Sequence, residues 1–378
     1  LADTGIIRAR RLYDGQGGEP LDERAVVVRE GRIAAVCPLA EAPEGDVLAE
    51  ADIVVPGLVD LQINGAGGVL FNDQPDVAGL QAMAAGARKG GTAWFLPTYI
   101  TDFDQRYGRA ISAVADAIGQ VPGVVGVHLE GPFLSPLRPG IHPADAIRAM
   151  TDADIALIGK TGVPLLLTLA PEQTTAGDIA RLTAAGVTVF AGHSEAGFDD
   201  MTGAEAAGLR GVTHLFNAMS QMQGREPGVV GAVFASDRLF AGIIADGVHV
   251  HPANLGTALR VLGPDRLFLV TDAMSPLGTE LAEFTLMGKR ITRQGGILSG
   301  ETGTLAGADI SMIEAVTRTV ELSGCSLADA IRMATLTPAR AIGLEHEIGS
   351  IAPGKRAGLT LLSEGLEVQG VVVDGRVV

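Results

Sequence analysis

The order of apolar runs along the chain predicts the α/β class, with a (β/α)8 barrel bracketed by one small β unit drawn from both termini. Three observations carry this. Eight short apolar runs recur between residues 58 and 271 with helical stretches between them, the rhythm of a parallel sheet with crossover helices. Both ends hold short β-rich runs joined by tight-turn pairs, and neither end alone can bury a core. A length of 378 residues, at roughly 150 residues per domain, leaves room for one large domain and a fraction of another.

From Ala25 to Val36 the sequence AVVVREGRIAAV reads as two strands turning at Glu30-Gly31. Pro56-Gly57 then punctuates the start of the large domain. The eight runs are Leu58 to Gln62, Ala93 to Leu96, Val124 to Leu129, Pro164 to Leu169, Thr188 to Ala191, Gly211 to His214, Leu239 to Ile244 and Leu267 to Thr271. Ile111, Val114, Ala115 and Ile118 recur at i, i+3, i+4 and i+7, which predicts a helix between the second and third runs. Ile313, Val316 and Val320 predict another. After Pro353-Gly354, residues 357–378 form two or three short strands, the last pair turning at Asp374-Gly375. The expected division is 1–55 and 344–378 for the two parts of the small domain and 56–343 for the barrel. Glycines gather after the strands, at Gly65, Gly67 and Gly68, Gly131, Gly192, Gly224 and Gly228, and Gly247; these are barrel-loop positions, or simply places where the chain turns.

Composition narrows the partners. With 28 basic against 44 acidic residues the net charge is −16, which repels phosphate backbones and anionic membranes, so an anionic small substrate needs a local basic group. Aromatics at 4% leave little material for stacking single-stranded bases. Neither nucleic acid nor membrane is an expected partner. Cys37 and Cys325, the two cysteines, cannot form a disulfide scaffold or a thiolate cluster, and a reducing cytoplasm suits them. No apolar run approaches the roughly 20 residues that span a bilayer.

Five of the seven histidines, His128, His193, His214, His249 and His251, stand at or just beyond strand ends. With Glu130 and Asp272 they converge at one end of the expected barrel, where remote sequence positions assemble a site. A metal site accounts for this pattern; core-packed histidines and helix-capping acids are the competing account. Glu130 follows a wholly apolar strand, so its charge needs a cation or a salt bridge. His128, two residues before it, suits a supporting donor or plain packing better than direct ligation. His346 lies near the return to the small domain and has a structural role in this scheme.

Eight words occur in order: PGLVDLQINGAGGVLFND (56–73), HLEGPF (128–133), GHSEA (192–196), THLFNAM (213–219), GREPG (224–228), IIADGVHVHP (243–252), LVTDAM (269–274) and MATLTPARAIGL (333–344). On these words the chain resembles, over nearly its whole length, the N-acetylglucosamine-6-phosphate deacetylases of the amidohydrolase superfamily. The resemblance implies a (β/α)8 TIM-like barrel with a small β-sandwich from both termini, and a homodimer. It further implies a divalent metal on Glu130, His193 and His214, with Asp272 as the catalytic carboxylate.

On the same resemblance, His249 supports the substrate carbonyl and its tetrahedral oxyanion, and His142 contacts the sugar hydroxyls. Asn217, Ala218 and Met219 line the substrate pocket. Arg225 pairs with the sugar phosphate across the dimer interface, a task that suits a planar guanidinium; an Arg225–Glu226 surface network is the structural alternative. His251 is left between local packing or solvent exposure and ligand contact. Many relatives in the wider superfamily carry His-x-His after the first strand, where this chain has Gln62-Ile63-Asn64. Amides are weaker ligands than imidazole, so one tightly held ion per subunit is expected, with zinc the first choice for the donor set. The expected reaction is hydrolysis of N-acetyl-D-glucosamine 6-phosphate to D-glucosamine 6-phosphate and acetate. Deacetylation of the galactosamine epimer is the nearby alternative, and a non-catalytic sugar-phosphate sensor the distant one.

Overall fold

The computed structural model describes residues 4–378. Its largest element is an eight-stranded parallel sheet whose strands follow sequence order: Leu58–Ile63, Thr92–Ile100, Val127–Glu130, Leu165–Leu169, Thr188–Ala191, Gly211–Val212, Phe240–Ile243 and Leu267–Leu269. Each lies within or overlaps one of the eight expected runs. The sheet curls until its ends meet. Ile63 bridges Ala273, the Asp272 N–H donates to the Gln62 carbonyl at 2.9 Å, and the Asn64 N–H to the Ala273 carbonyl at 2.8 Å. The closing contacts thus lie at the C-terminal ends of the first and last strands.

Inside the barrel the packing is mostly aliphatic, but one polar layer crosses it. Thr98 Oγ1 meets His128 Nδ1 at 3.0 Å, His128 Nε2 meets Thr168 Oγ1 at 2.8 Å, and Thr168 meets Thr213 at 2.6 Å. His128 is therefore a cross-strand tie between the second, third, fourth and sixth strands. Burial pushes its imidazole down to about 4, so it ties as a neutral ring.

Helices cover the outside. The helix after the second strand, Tyr107–Ala117, buries Ala110, Ile111, Ala113, Val114 and Ala117. Two positions expected on that face are not: Ala115 faces solvent, and Ile118 lies just past the last turn and is exposed. The helix Met312–Ser323 buries Ile313 and Val316 as expected and starts with a capping box between Ser311 and Glu314.

The termini meet in one seven-stranded mixed sheet. Its order is Arg376–Val377, Val368–Val373, Leu359–Leu362, Asp46–Pro56, Gly5–Leu12, Leu21–Arg29 and Arg32–Pro38. Both hairpin turns, Glu30-Gly31 and Asp374-Gly375, have positive φ at both central residues (49° and 74° in each), the geometry that matches the twist of the flanking strands. Sheet and barrel join where the Gly57 N–H donates to the Gly358 carbonyl at 2.8 Å and Arg356 stacks on the Trp94 ring at 4.4 Å. A Cβ on Gly358 would stand 2.2 Å from that ring, so the close approach requires glycine.

One element was not anticipated from the sequence. Between the eighth barrel strand and the helix Met312–Ser323 lies a three-stranded antiparallel sheet, Glu283–Leu286, Lys289–Gln294 and Ile297–Gly300. Arg293 fastens it to the body through Asp309 at 2.7 Å and the Thr279 carbonyl at 2.9 Å. No helix is long and apolar enough to cross a membrane among the described residues.

Candidate metal centre and active site

Four barrel strands deliver the central side chains. Glu130 is the last residue of the third strand, and His193, His214 and Asp272 follow the fifth, sixth and eighth. Their φ angles of 47°, 31° and 50° for His193, His214 and Asp272 turn the chain at once into left-handed backbone. The sixth strand therefore stops at Val212 instead of running through His214, because the turn that ends pairing also redirects the ring.

Glu130 Oε1 lies 3.0 Å from His214 Nε2 and 3.3 Å from His193 Nε2, and the two imidazole nitrogens are 3.1 Å apart. All three side chains are buried. His193 Nδ1 donates to the Arg138 carbonyl at 2.8 Å, so in the neutral ring Nε2 is a bare lone pair. His214 Nε2 faces it at 3.1 Å, and two ring nitrogens that close need a proton or a cation between them. Bonds of about 2.0–2.1 Å in tetrahedral geometry place neighbouring ligand atoms about 3.3 Å apart, close to the spacing seen. The residues fit a single divalent cation. Burial alone would raise the Glu130 carboxyl; the His193 and His214 rings against it, and the charge of His214, outweigh burial and hold the carboxyl well below the ordinary range.

Gln62 and Asn64 face the acids with their NH2 groups, since an amide oxygen turned toward a carboxylate would be repelled. Asn64 Nδ2 donates to Asp272 Oδ1 at 2.7 Å, and Gln62 Nε2 donates to the same oxygen at 3.1 Å and to Glu130 Oε1 at 3.2 Å. Where a second ion would need ligands, this chain has donors. Asp272 is pushed up to about 6 by burial and then by the charge of Glu130. Beneath it, Thr271 binds the buried Asp60 carboxylate across the closing seam.

A cavity of about 300 Å³ opens over these groups. His142, His249, Asn217 and Ala218 line it together with the metal ligands and Asp272. Met219 does not: its side chain is wholly buried, which leaves only its backbone for any contact. Arg225 is exposed on the loop before the helix Gly228–Ala235 and has no hydrogen-bond or ion-pair partner among the described residues. Its neighbour Glu226 accepts from the Phe198 and Gly228 amides instead. His251 caps the helix Pro252–Leu262 by accepting from the Ala253 N–H at 3.2 Å, and His346 is exposed.

His142 is oriented by a residue the sequence did not single out. Thr101 Oγ1 donates to the Glu130 carbonyl at 3.2 Å, so it accepts from His142 Nδ1 at 2.8 Å and leaves Nε2 as an acceptor toward the cavity. Burial, then the neighbouring His193, pushes His142 down to about 3. Asp246 likewise holds His249. One further part of the wall, Thr304, Leu305 and Gly307, follows the three-stranded insertion.

A barrel with one Glu/His/His centre and an acid beside it defines a metal-dependent hydrolase of the amidohydrolase type. Residues 53–378 match the Amidohydrolase family, and the chain belongs to that family. Within it, the chain is closely related to N-acetylglucosamine-6-phosphate deacetylase. The Haemophilus influenzae enzyme of that name is 38% identical over 363 residues, spanning 94% of this chain and 95% of its own. The crystal structure of the Pasteurella multocida enzyme superposes with a TM-score of 0.93 at 35% identity, covering 99% of both chains. An N-acetylgalactosamine-6-phosphate deacetylase from Shewanella is 42% identical over 324 residues, 85% of this chain and 82% of that protein.

Proposed function

We propose that this chain hydrolyses N-acetyl-D-glucosamine 6-phosphate to D-glucosamine 6-phosphate and acetate. At the coarser level it is a metal-dependent amidohydrolase that cleaves the amide of an N-acetylhexosamine 6-phosphate. The observation that carries this is the buried Glu130, His193 and His214 triad with Asp272 beside it.

A divalent cation held by Glu130, His193 and His214 supplies Lewis acidity at the scissile amide and its attacking water. Zinc is our choice for one carboxylate and two imidazoles. Asp272 has Oδ1 committed to Gln62 and Asn64, which leaves Oδ2 to take the proton of the water as the new C–O bond forms. The same oxygen returns that proton to the nitrogen as the C–N bond breaks, so that a neutral amine departs, and the acetic acid formed gives up its remaining proton to solvent as acetate. His249 donates to the carbonyl oxygen as it gains charge. His142 accepts from a sugar hydroxyl, Asn217 and the backbone of Ala218 and Met219 position the substrate, and Arg225 of a second subunit binds the phosphate. The solitary, exposed guanidinium of Arg225 supports that homodimeric reading. The free cysteines Cys37 and Cys325 accord with a cytoplasmic setting.

An acetate-release assay with metal removal and restoration tests the reading. Acetate should form only in the metal-loaded protein, and binding of the sugar phosphate without acetate release would instead mark a sensor. Asp272→Asn should keep the metal and the substrate yet lose about 10²–10⁴-fold in kcat; near-native turnover with unchanged metal content would remove Asp272 from its role. The 42% identity to a protein named N-acetylgalactosamine-6-phosphate deacetylase favours the 4-epimer as the alternative substrate. Parallel kcat/KM values on the two phosphorylated sugars decide between them, and their unphosphorylated forms test Arg225.

A further inference from the structure

His249 lines the cavity, but only one of its nitrogens is free to face it. Nδ1 lies 2.6 Å from Asp246 Oδ2, and both side chains are less than a tenth exposed. Asp246 Oδ1 accepts from the Val248 and His249 amides, each at 2.8 Å, so the carboxylate is locked from its own loop. Gly247, at φ 76°, makes the tight turn that brings both groups round. Arg318, on the helix Met312–Ser323, donates to the Asp246 carbonyl at 3.3 Å and fastens the loop to the barrel wall. Burial would raise the Asp246 carboxyl, but the His249 ring and the two amides outweigh it and hold it below the ordinary range.

A neutral imidazole whose Nδ1–H is engaged presents a bare Nε2, which can only accept. An amide carbonyl gaining negative charge needs a donor. The two requirements meet when the ring carries both protons, with a carboxylate against Nδ1 as counter-charge. We propose that Asp246 is the positioning residue for His249, holding the ring by Nδ1 and supporting the doubly protonated form so that Nε2–H donates to the acetamido oxygen. This rests on the deacetylase reading above. The charged groups that face His249 are Asp246 on its own loop and Asp272 beyond the eighth strand; Arg318 meets only the backbone carbonyl of Asp246.

Asp246→Asn removes the counter-charge at nearly constant shape. The expected result is a kcat about 10–100-fold lower with KM within about threefold, and an alkaline limb of the kcat profile displaced toward lower pH. His249→Gln carries a donor that does not titrate, so that limb should flatten. Adding Asp246→Asn to His249→Gln should then change kcat by less than about threefold, because the two residues act as one unit. Metal content and melting temperature of each variant report folding. Nitrogen NMR of the histidine rings reads the proton on His249 Nε2 without turnover, and it should leave at lower pH in Asp246→Asn. An unchanged pH profile and NMR titration, or an equal loss in both backgrounds, would overturn the role of Asp246. A wild-type protein that releases no acetate would overturn the deacetylase reading, while the NMR titration still decides the one for Asp246.

Discussion

A side chain in left-handed backbone costs on the order of 1–2 kcal/mol relative to the right-handed form. His193, His214 and Asp272 all adopt it at the ends of barrel strands, where neighbouring structure over-determines the geometry. The conformation turns each ring or carboxylate over the barrel mouth. His251, two residues past His249, shows the contrary case of a histidine with a purely local task. Replacing it by alanine removes the cap on the helix Pro252–Leu262. We expect a loss of about 1 kcal/mol in thermal or denaturant unfolding with kcat and KM unchanged; a raised KM would place His251 at the substrate. The metal ligands were legible because His and Glu directly after apolar runs have few other uses. Thr101 and Asp246 were not, since a threonine or aspartate in a loop is ordinary until the ring it holds is seen, His142 for Thr101 and His249, three residues on, for Asp246.

The segment between the third strand and the helix Asp152–Ile158 carries both His142 and the Arg138 carbonyl that orients His193. It is anchored at its far end by Asp154. That carboxylate is fully buried and accepts from Arg148 twice at 2.7 Å, from Tyr107 at 2.6 Å and from Thr151 at 2.7 Å. Burial would raise it, but the Arg148 pair and then the Tyr107 and Thr151 hydroxyls outweigh that and hold it well below the carboxylate range. Its contribution to stability is therefore complete above the unfolded value near 4 and is lost as pH falls through its depressed folded value. Asp154→Asn should cost about 3 kcal/mol at pH 7, because it leaves Arg148 without its counter-charge. The gap between variant and wild type should narrow below about pH 4; a gap independent of pH would show that packing, not charge, holds the knot. At this scale the barrel strands were readable as short, mostly apolar runs. The three-stranded insertion was not, since its strands are only four to six residues long and hold few apolar residues. Its turn at Gly295-Gly296, with φ of 60° and 77°, was the one strong local signal.

At the scale of the whole molecule, the proposed function calls for Arg225 of a second copy to bind the phosphate. Mixing Arg225→Ala subunits with Asp272→Asn subunits tests this. In a mixed dimer, one site combines an intact Asp272 with the neighbour's intact Arg225. Random pairing should therefore restore about a quarter of the wild-type sites from two inactive parents. No recovery after verified subunit exchange would place Arg225 in its own active site.

The join between the two ends has a further consequence, for how the chain is made. The Leu58 amide donates to Thr360, 302 residues later, and the strand Asp46–Pro56 pairs with Leu359–Leu362. At about 5–20 residues per second, a ribosome takes roughly 15–60 s to deliver the second strand after the first. Throughout that interval the growing polypeptide holds out an apolar, half-paired edge. Chaperone occupancy on ribosomes should rise soon after residue 56 emerges and fall only near termination, and chains interrupted before Leu359 should be the ones that aggregate.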